Sequence, residues 1–118
     1  MNVQPAPESL LPLPPAMFHI LLSLAEGDRH GYAIIQDVSA RTDGEVTLGA
    51  GTLYRSIQRM LEQELIVEVD AQPSDTADER RRYYRLTTLG RRVAQAEAAR
   101  LTRLLADARA TGLLPRRR

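Results

Sequence analysis

The 118-residue chain contains no cysteine, no tryptophan and no lysine, and only five aromatic residues. Without cysteine, disulfides, thiolate zinc sites and cysteine nucleophiles are excluded. No apolar run approaches the roughly 18–20 residues of a membrane span, and the N-terminus lacks the basic region that opens a secretory signal peptide. These absences predict one small cytoplasmic domain with a mainly aliphatic core.

The net charge of +1 hides a strong asymmetry along the chain. Residues 1–79 carry four arginines against thirteen acids, a net charge of −9. Residues 80–118 carry twelve arginines against two acids, a net charge of +10. Such a division favours contact with a nucleic acid or a membrane, or self-association between oppositely charged patches.

Hydrophobic periodicity and turn residues predict helices first and a β-ribbon afterwards. Helices are predicted over about 16–26, 31–42 and 50–63, two ribbon strands over 65–69 and 81–87 with a flexible loop at 71–79 between them, and a long helix over 88–110. The short stretch 28–30 is predicted to be a simple connection. The chain therefore divides into a flexible proline-rich arm at 1–13, a body at 14–87, a last helix at 88–112 and a basic tail at 113–118.

The predicted third helix has two chemically different faces. At 100° per residue, one face is an apolar stripe made of Ala50, Leu53, Ile57, Met60 and Leu61. The opposite face, with Tyr54 at its margin, is polar and contains Gly51, Thr52, Arg55, Gln58, Arg59 and Glu62.

This polar face has the chemistry of a DNA-reading helix. Arginine bonds guanine edges bidentately, and arginine, threonine and glutamine also hold phosphates. Three short helices followed by a β-ribbon is the order of a winged helix-turn-helix, whose third helix enters the major groove. The alternative is that Arg55 and Arg59 only solvate an amphipathic helix.

The second ribbon strand holds the densest cationic cluster. Strand alternation places Tyr84 and Leu86 on the inner face and Tyr83 on the outer one. Phosphate contacts are predicted for three of its arginines, Arg81, Arg82 and Arg85. Alternatively, they form a solvated strand edge, since the preceding loop carries acids that would pair with them or repel DNA.

The last helix predicts self-association, because its leucines continue beyond what a compact body would cover; packing on its own body is the alternative. The residues expected at a dimer interface are Phe18, Leu21, Val93, Leu101, Leu104, Leu105 and Ala108. A two-fold dimer presents two recognition helices to half-sites one DNA turn, or a multiple, apart.

Four segments, in this order and spacing, resemble the PadR-type transcriptional regulators: 13–24, His30-Gly31-Tyr32, the string Gly51-Thr52-Leu53-Tyr54-Arg55-Ser56-Ile57, and the string from Arg82 to Gly90. The resemblance spans about residues 11–110. It implies a winged helix domain with a C-terminal dimerisation helix, and repression by operator binding that a small molecule relieves in some members. It also places Thr52, Tyr54 and Arg55 on the recognition helix, and Arg81 and Arg82 on the wing.

Two departures from the family pattern stand out. Glu64 occupies a position after the third helix where the family usually has glycine, so a left-handed cap is costlier and a helix exit of different shape is expected. The chain also lacks the tryptophans with which some drug-sensing members sandwich flat ligands, so that pocket is not transferred to it.

The sequence leaves two other functions to compare with DNA binding, an enzyme and a protein-binding module. An enzyme is disfavoured because the sequence around His19 and His30 shows no obvious carboxylate pair and no spacing typical of metal ligands, and because it contains no phosphate-binding loop, so no catalytic residue, metal or cofactor is predicted. A winged helix that binds protein instead of DNA remains the alternative, since the fold does not decide the function. The predicted partners are double-stranded operator DNA and a second copy of the chain, with any effector unidentified.

Overall fold

The computed structural model describes residues 5–70 and 82–115. Four helices and three short strands form the domain, in the order α1 (Pro15–Leu24), β1 (Arg29–His30), α2 (Gly31–Arg41), α3 (Ala50–Glu62), β2 (Ile66–Val69), β3 (Tyr83–Leu86) and α4 (Thr88–Ala110). The predicted fold class, mainly helical with a small β-ribbon and a long last helix, is confirmed. The predicted loop at 71–79 and the three terminal arginines of the basic tail lie outside the described residues.

The sheet has three strands rather than the two expected from the sequence. Strand β3 lies in the middle and pairs antiparallel with both β1 and β2. Arg29 lies opposite Tyr84, and Val67 lies opposite Arg85. The stretch at 28–30 was therefore wrongly assigned as a simple connection, because a two-residue strand is too short to show an alternating pattern.

The core is aliphatic and is built around α1 and α3. Leu53, Ile57 and Met60 of the predicted apolar stripe are buried, whereas Ala50 is exposed and Leu61 only partly buried. Further fully buried side chains from α1, α2 and the strand region include Ile20, Leu21, Ile34, Val38, Leu65 and Ile66. Within the described residues, no helix is long and apolar enough to cross a membrane.

The exit of α3 is a left-handed cap made by a non-glycine residue. Glu64 has a φ of 62°, the Leu65 N–H donates to the Met60 carbonyl at 2.9 Å, and the Glu64 N–H donates to the Leu61 carbonyl at 3.1 Å. This is the bonding pattern of a Schellman motif. The expectation of a differently shaped exit was wrong, since burial of Leu65 and these two bonds hold Glu64 in the left-handed region.

The same turn fixes the start of α4. Thr87 caps the helix by accepting from the Gly90 N–H at 2.9 Å, while its hydroxyl donates to the Glu64 carbonyl at 2.7 Å. A Cβ on Gly90 would lie 1.9 Å from the Leu65 carbonyl oxygen. Glycine is thus required here for space, and the exit of α3 and the start of α4 are joined tightly at this point.

Part of the predicted flexible arm, residues 7–13, is packed against the body. Pro7–Leu10 form a 3-10 turn, and Leu13 is buried in the core. The Leu13 N–H donates to the carboxylate of Glu97 on α4 at 3.0 Å, and Arg100 also donates to that carboxylate, at 2.5 and 3.1 Å. The structure corrects the expectation for residues 7–13, because proline content shows only what a segment cannot form, not whether its leucines are buried.

The two halves of α4 differ in burial. Leu89, Val93 and Glu97 pack into the body, whereas Leu104 and Leu105 are 51% and 47% exposed. Of the predicted dimer residues, Leu21 and Val93 are fully buried within the chain itself and offer no surface to a partner. Residues that retain surface are Phe18, Leu101, Leu104, Leu105 and Ala108.

Candidate nucleic-acid interface

The polar face of α3 is open to solvent along its length. Gly51, Thr52, Arg55, Gln58 and Arg59 are all exposed. The Arg55 guanidinium turns back over the start of the helix, 3.5 Å from the Thr52 hydroxyl, and Gln58 donates to Glu62 at 3.2 Å.

Arg55 and Arg59 bring positive charge to this exposed face. Within residues 5–70 and 82–115, neither guanidinium forms an ion pair with a carboxylate, not even with the neighbouring Glu62. Two fixed positive charges on an exposed helix face are available to an anionic partner.

Tyr54 lies at the margin of this face, as predicted, and is 53% exposed. Its hydroxyl lies above Gly31 at the start of α2, only 2.7 Å from the position that a Cβ on Gly31 would occupy. Gly31 therefore provides the space for the Tyr54 side chain to lie across α2.

Tyr84 and Leu86 lie on the inner face of β3 as predicted, with Leu86 packed against the core that contains Tyr84, but Tyr83, assigned to the outer face, is also buried. Tyr83 and Tyr84 are both buried, whereas Leu86 is only partly buried. Tyr84 packs into the hydrophobic core. Tyr83 lies directly opposite His30 in the neighbouring strand, with the rings in an edge-to-face contact at 5.2 Å. The third strand covers Tyr83, and alternation in a two-stranded ribbon had no means of showing this.

The predicted wing arginines are separated by the fold. Arg85 forms a two-pronged ion pair with Asp28, at 3.0 Å from Nε to Oδ1 and 2.7 Å from Nη2 to Oδ2. The hydrogen bonds from Arg85 lower the pKa of Asp28 and, although partial burial opposes this, keep it ionised. Arg82 is exposed and lies 3.8 Å from Glu68, a distance at which surface pairs contribute little. Arg81 lies outside the described residues.

A cleft of about 270 Å³ adjoins Tyr54 and Arg82. It is lined by His30, Gly31, Tyr32, Tyr54, Arg82 and Tyr84. Tyr32 is 57% exposed. It belongs, with His30, to one of the segments that resemble the family, but the sequence predicted no function for either residue. Proximity to Tyr54 is the signal that identifies them, and it exists only in three dimensions.

An ion-pair network around Asp37 of α2 joins that helix to the end of α1 and to the residues that follow α1. Arg41 pairs with Asp37 at 3.1 Å and with Glu26, and Arg29 lies 3.5 Å from Asp37 while its Nε donates to the Ser23 carbonyl at 3.0 Å. These bonds set the position of α2, and therefore of its first residues, relative to the body.

The helices α1, α2 and α3 are followed by the ribbon of β2 and β3, which forms the wing. Together with the exposed arginines on α3, this arrangement defines the winged helix-turn-helix class of DNA-binding proteins. A model of the PadR-like family of transcriptional regulators matches residues 20–96. The chain therefore belongs to this family.

Three relatives illustrate the similarity. An uncharacterized protein of Lysinibacillus sphaericus is 40% identical over 72 residues, which cover 61% of this chain and 64% of that protein, so the match spans less than two thirds of the relative. A PadR family transcription regulator of Clostridium difficile has 25% identity and a TM-score of 0.67, covering 84% of this chain and 98% of its own. Bacillus subtilis PadR in complex with operator DNA, at 18% identity, has the same fold, with a TM-score of 0.62 over 76% of this chain and 47% of that one.

Proposed function

We propose that the chain is a homodimeric repressor that binds a palindromic operator, with α3 in the major groove. The observation that supports this most directly is the exposed face of α3, on which Arg55 and Arg59 have no carboxylate partner among the described residues. Thr52 and Gln58 would contact bases or phosphates beside them, and Gly51 would let the helix start approach the backbone closely.

The wing and the margin of α3 would hold the DNA backbone. Arg82 is exposed, and Arg81 precedes it in the chain. Both would contact phosphates across the minor groove, with Tyr54 doing so beside the major groove. Arg85 is proposed to contribute less, because Asp28 already compensates its charge. The operator complex of Bacillus subtilis PadR supports DNA as the partner.

The second half of α4 supports the proposed dimer. Leu104 and Leu105 are half-exposed about two helical turns beyond Glu97, the last buried residue of α4, and Leu101, Ala108 and Phe18 retain partial surface. An isologous pairing of this stripe with a second copy would bury it and create the two-fold symmetry that a palindrome mirrors. A small-molecule effector, as the resemblance implies for some members, would release the protein from its operator.

The DNA assignment is tested by selecting genomic fragments with the purified protein and measuring gel shifts at several salt concentrations. We expect one or more fragments bound at least 10³-fold more tightly than unrelated DNA, roughly the lower limit for specific regulators. Binding of no fragment above the level of unrelated DNA, at any salt concentration, would favour the protein-binding winged helix instead.

The dimer is tested separately with Leu104→Asp combined with Leu105→Asp in the full chain. We expect the sedimentation coefficient to fall from that of a dimer to that of a monomer, because two carboxylates would be buried without partners. Ala106→Asp, an exposed change on the opposite side of α4, is the matched control. A double variant that stays dimeric would place the interface elsewhere.

A further inference from the structure

The cleft between α2, α3 and the start of β3 has donors but no acid among its lining residues. Arg82 brings a guanidinium, and Tyr32 and Tyr54 bring hydroxyl groups, around a space of about 270 Å³. Arginine and tyrosine donors converging without a carboxylate are suited to an anion. Glu68 lies nearby, but its pair with Arg82 is exposed and 3.8 Å long, and is easily exchanged for a better acceptor.

The walls of the cleft are already in place without a ligand. Tyr84 is 3% exposed, and the Tyr54 ring rests against the start of α2. A Cβ on Gly31 would lie 2.7 Å from the Tyr54 hydroxyl, 3.2 Å from its Cζ atom and 3.2 Å from a methyl group of Leu53. Gly31 has no positive φ, so glycine is needed there for the space that Tyr54 occupies and not for an unusual backbone.

The location of the cleft indicates which anion it meets. Tyr54, which lines it, is followed directly by Arg55 on the exposed face of α3. A duplex read by that face must bring a sugar-phosphate strand along the margin of α3, past Tyr54 and toward Arg82.

We propose that this cleft is a preformed pocket for a DNA backbone phosphate, an inference that rests on the proposed DNA-binding function. In this pocket Tyr32 donates to the phosphate alongside Arg82, and Gly31 positions Tyr54. The contact is independent of base sequence and fixes how far α3 enters the groove.

Tyr32→Phe removes one hydroxyl from an exposed side chain and leaves the ring. We expect its DNA affinity to fall about 10- to 100-fold, the range for one hydrogen bond to a charged acceptor such as a phosphate, by the same factor on the operator and on unrelated DNA. The salt dependence should stay unchanged, because the number of charges is unchanged. Arg103→Ala, an exposed arginine on α4, serves as the control for a distant change.

The positioning role of Gly31 is tested by a double-mutant cycle with Gly31→Ala and Tyr54→Phe. We expect Gly31→Ala to lower DNA affinity while the thermal midpoint changes little, because the obstructing atom is the mobile end of a side chain. The same change should cost several-fold less in the Tyr54→Phe background. Equal losses in both backgrounds would show that Gly31 does not act through Tyr54.

The outcomes separate the pocket from the function on which it rests. If the parent binds its operator and Tyr32→Phe binds both DNAs equally well, the pocket is overturned and the DNA-binding function stands. A parent that binds no DNA overturns both. Inorganic phosphate is titrated into the DNA-free protein as a further arm, and a rise in thermal midpoint that is lost in Arg82→Ala, together with unchanged DNA binding by Tyr32→Phe, would assign the pocket to free phosphate and overturn the backbone contact.

Discussion

Two groups of arginines in this chain have different surroundings. The first group has carboxylate partners within the chain, and it comprises Arg29, Arg41, Arg85 and Arg100. The second group is Arg55 and Arg59, which lie on one exposed helix face and have no such partner among the described residues. The first group joins segments of the fold, whereas the second leaves charge available to a ligand. Arg91, Arg92 and Arg103 on α4 are also exposed without a carboxylate partner among the described residues. The positions of the acids therefore only narrow the candidates, and the place of Arg55 and Arg59 on the exposed face of α3 selects them.

Arg55→Ala should show the largest effect on DNA binding. The Arg55 guanidinium lies on the exposed face of α3 and has no carboxylate partner among the described residues. Its loss is expected to cost about 1–3 kcal/mol on the specific site, or roughly 5- to 150-fold in Kd. Gel shifts at constant salt on the selected operator and on an unrelated fragment measure this, with Arg103→Ala as the control. Parent-like binding by Arg55→Ala would remove the distinction between the two groups.

Glu97→Ala should instead reduce the stability of the fold. It removes a buried acceptor, leaving the Leu13 N–H and the Arg100 side chain without their partner. We expect the free energy of unfolding to fall by about 1–3 kcal/mol, measured by urea denaturation at equal protein concentrations. Asp107→Ala, the other acid on α4 and an exposed one, is the matched control. Equal losses in the two variants would contradict a special role for Glu97.

The stability contributed by Glu97 should depend on pH. Hydrogen bonds from Arg100 lower the pKa of Glu97; burial opposes this, and the Leu13 N–H reinforces it. A lowered folded-state pKa gives stability that is fully present above the unfolded value of about 4.3 and is lost as the pH falls through the folded value. The difference in unfolding free energy between the parent and Glu97→Gln should therefore shrink below about pH 4. A constant difference from pH 7 to pH 3 would refute this.

Arg82→Ala should have a smaller and less specific effect on DNA binding than Arg55→Ala. Arg82 is exposed and weakly paired, so its loss should weaken operator and unrelated DNA by similar factors. The slope of log Kd against log salt concentration should become shallower by about one unit. An effect confined to the operator would instead place Arg82 on a base edge.

The smallest effect is expected from freeing a paired arginine. Asp28→Asn removes the carboxylate that holds Arg85, and the released charge should tighten DNA binding less than about threefold at low salt. Arg85→Ala in the parent should weaken DNA binding by a similarly small factor, less than about threefold at low salt, because it leaves the Asp28 carboxylate uncompensated. A large loss in Arg85→Ala would show that Arg85 leaves Asp28 to bind phosphate.

The elements that could be predicted are those with local signals. The last helix was expected over 88–110 and forms over Thr88–Ala110, because the Thr87 cap and the apolar periodicity lie within one stretch of chain. The polar face of α3 was likewise deduced from residues one helical turn apart. Its exposure follows from the burial of Leu53, Ile57 and Met60 on the other side.

The features that were missed depend on residues far apart in the chain. The ion pair of Arg85 with Asp28 joins positions 57 residues apart, and the bond from Leu13 to Glu97 joins positions 84 apart. The strand β1 exists only because β3 lies beside it, and β1 in turn covers Tyr83, which the sequence placed on an outer face. No periodicity reports such contacts, because each is made only when the chain folds back on itself.

Local propensity, capping and amphipathic spacing were thus sufficient to specify the order of the four helices and the two ribbon strands, and the two faces of α3, but not the strand β1. Which arginines are compensated, which dimer candidates are core residues, and where Gly31 admits Tyr54 were decided by tertiary packing alone. The physical reason is range: helix and strand patterns reflect interactions over a few residues, whereas charge compensation and burial depend on distances in space that the folded topology sets.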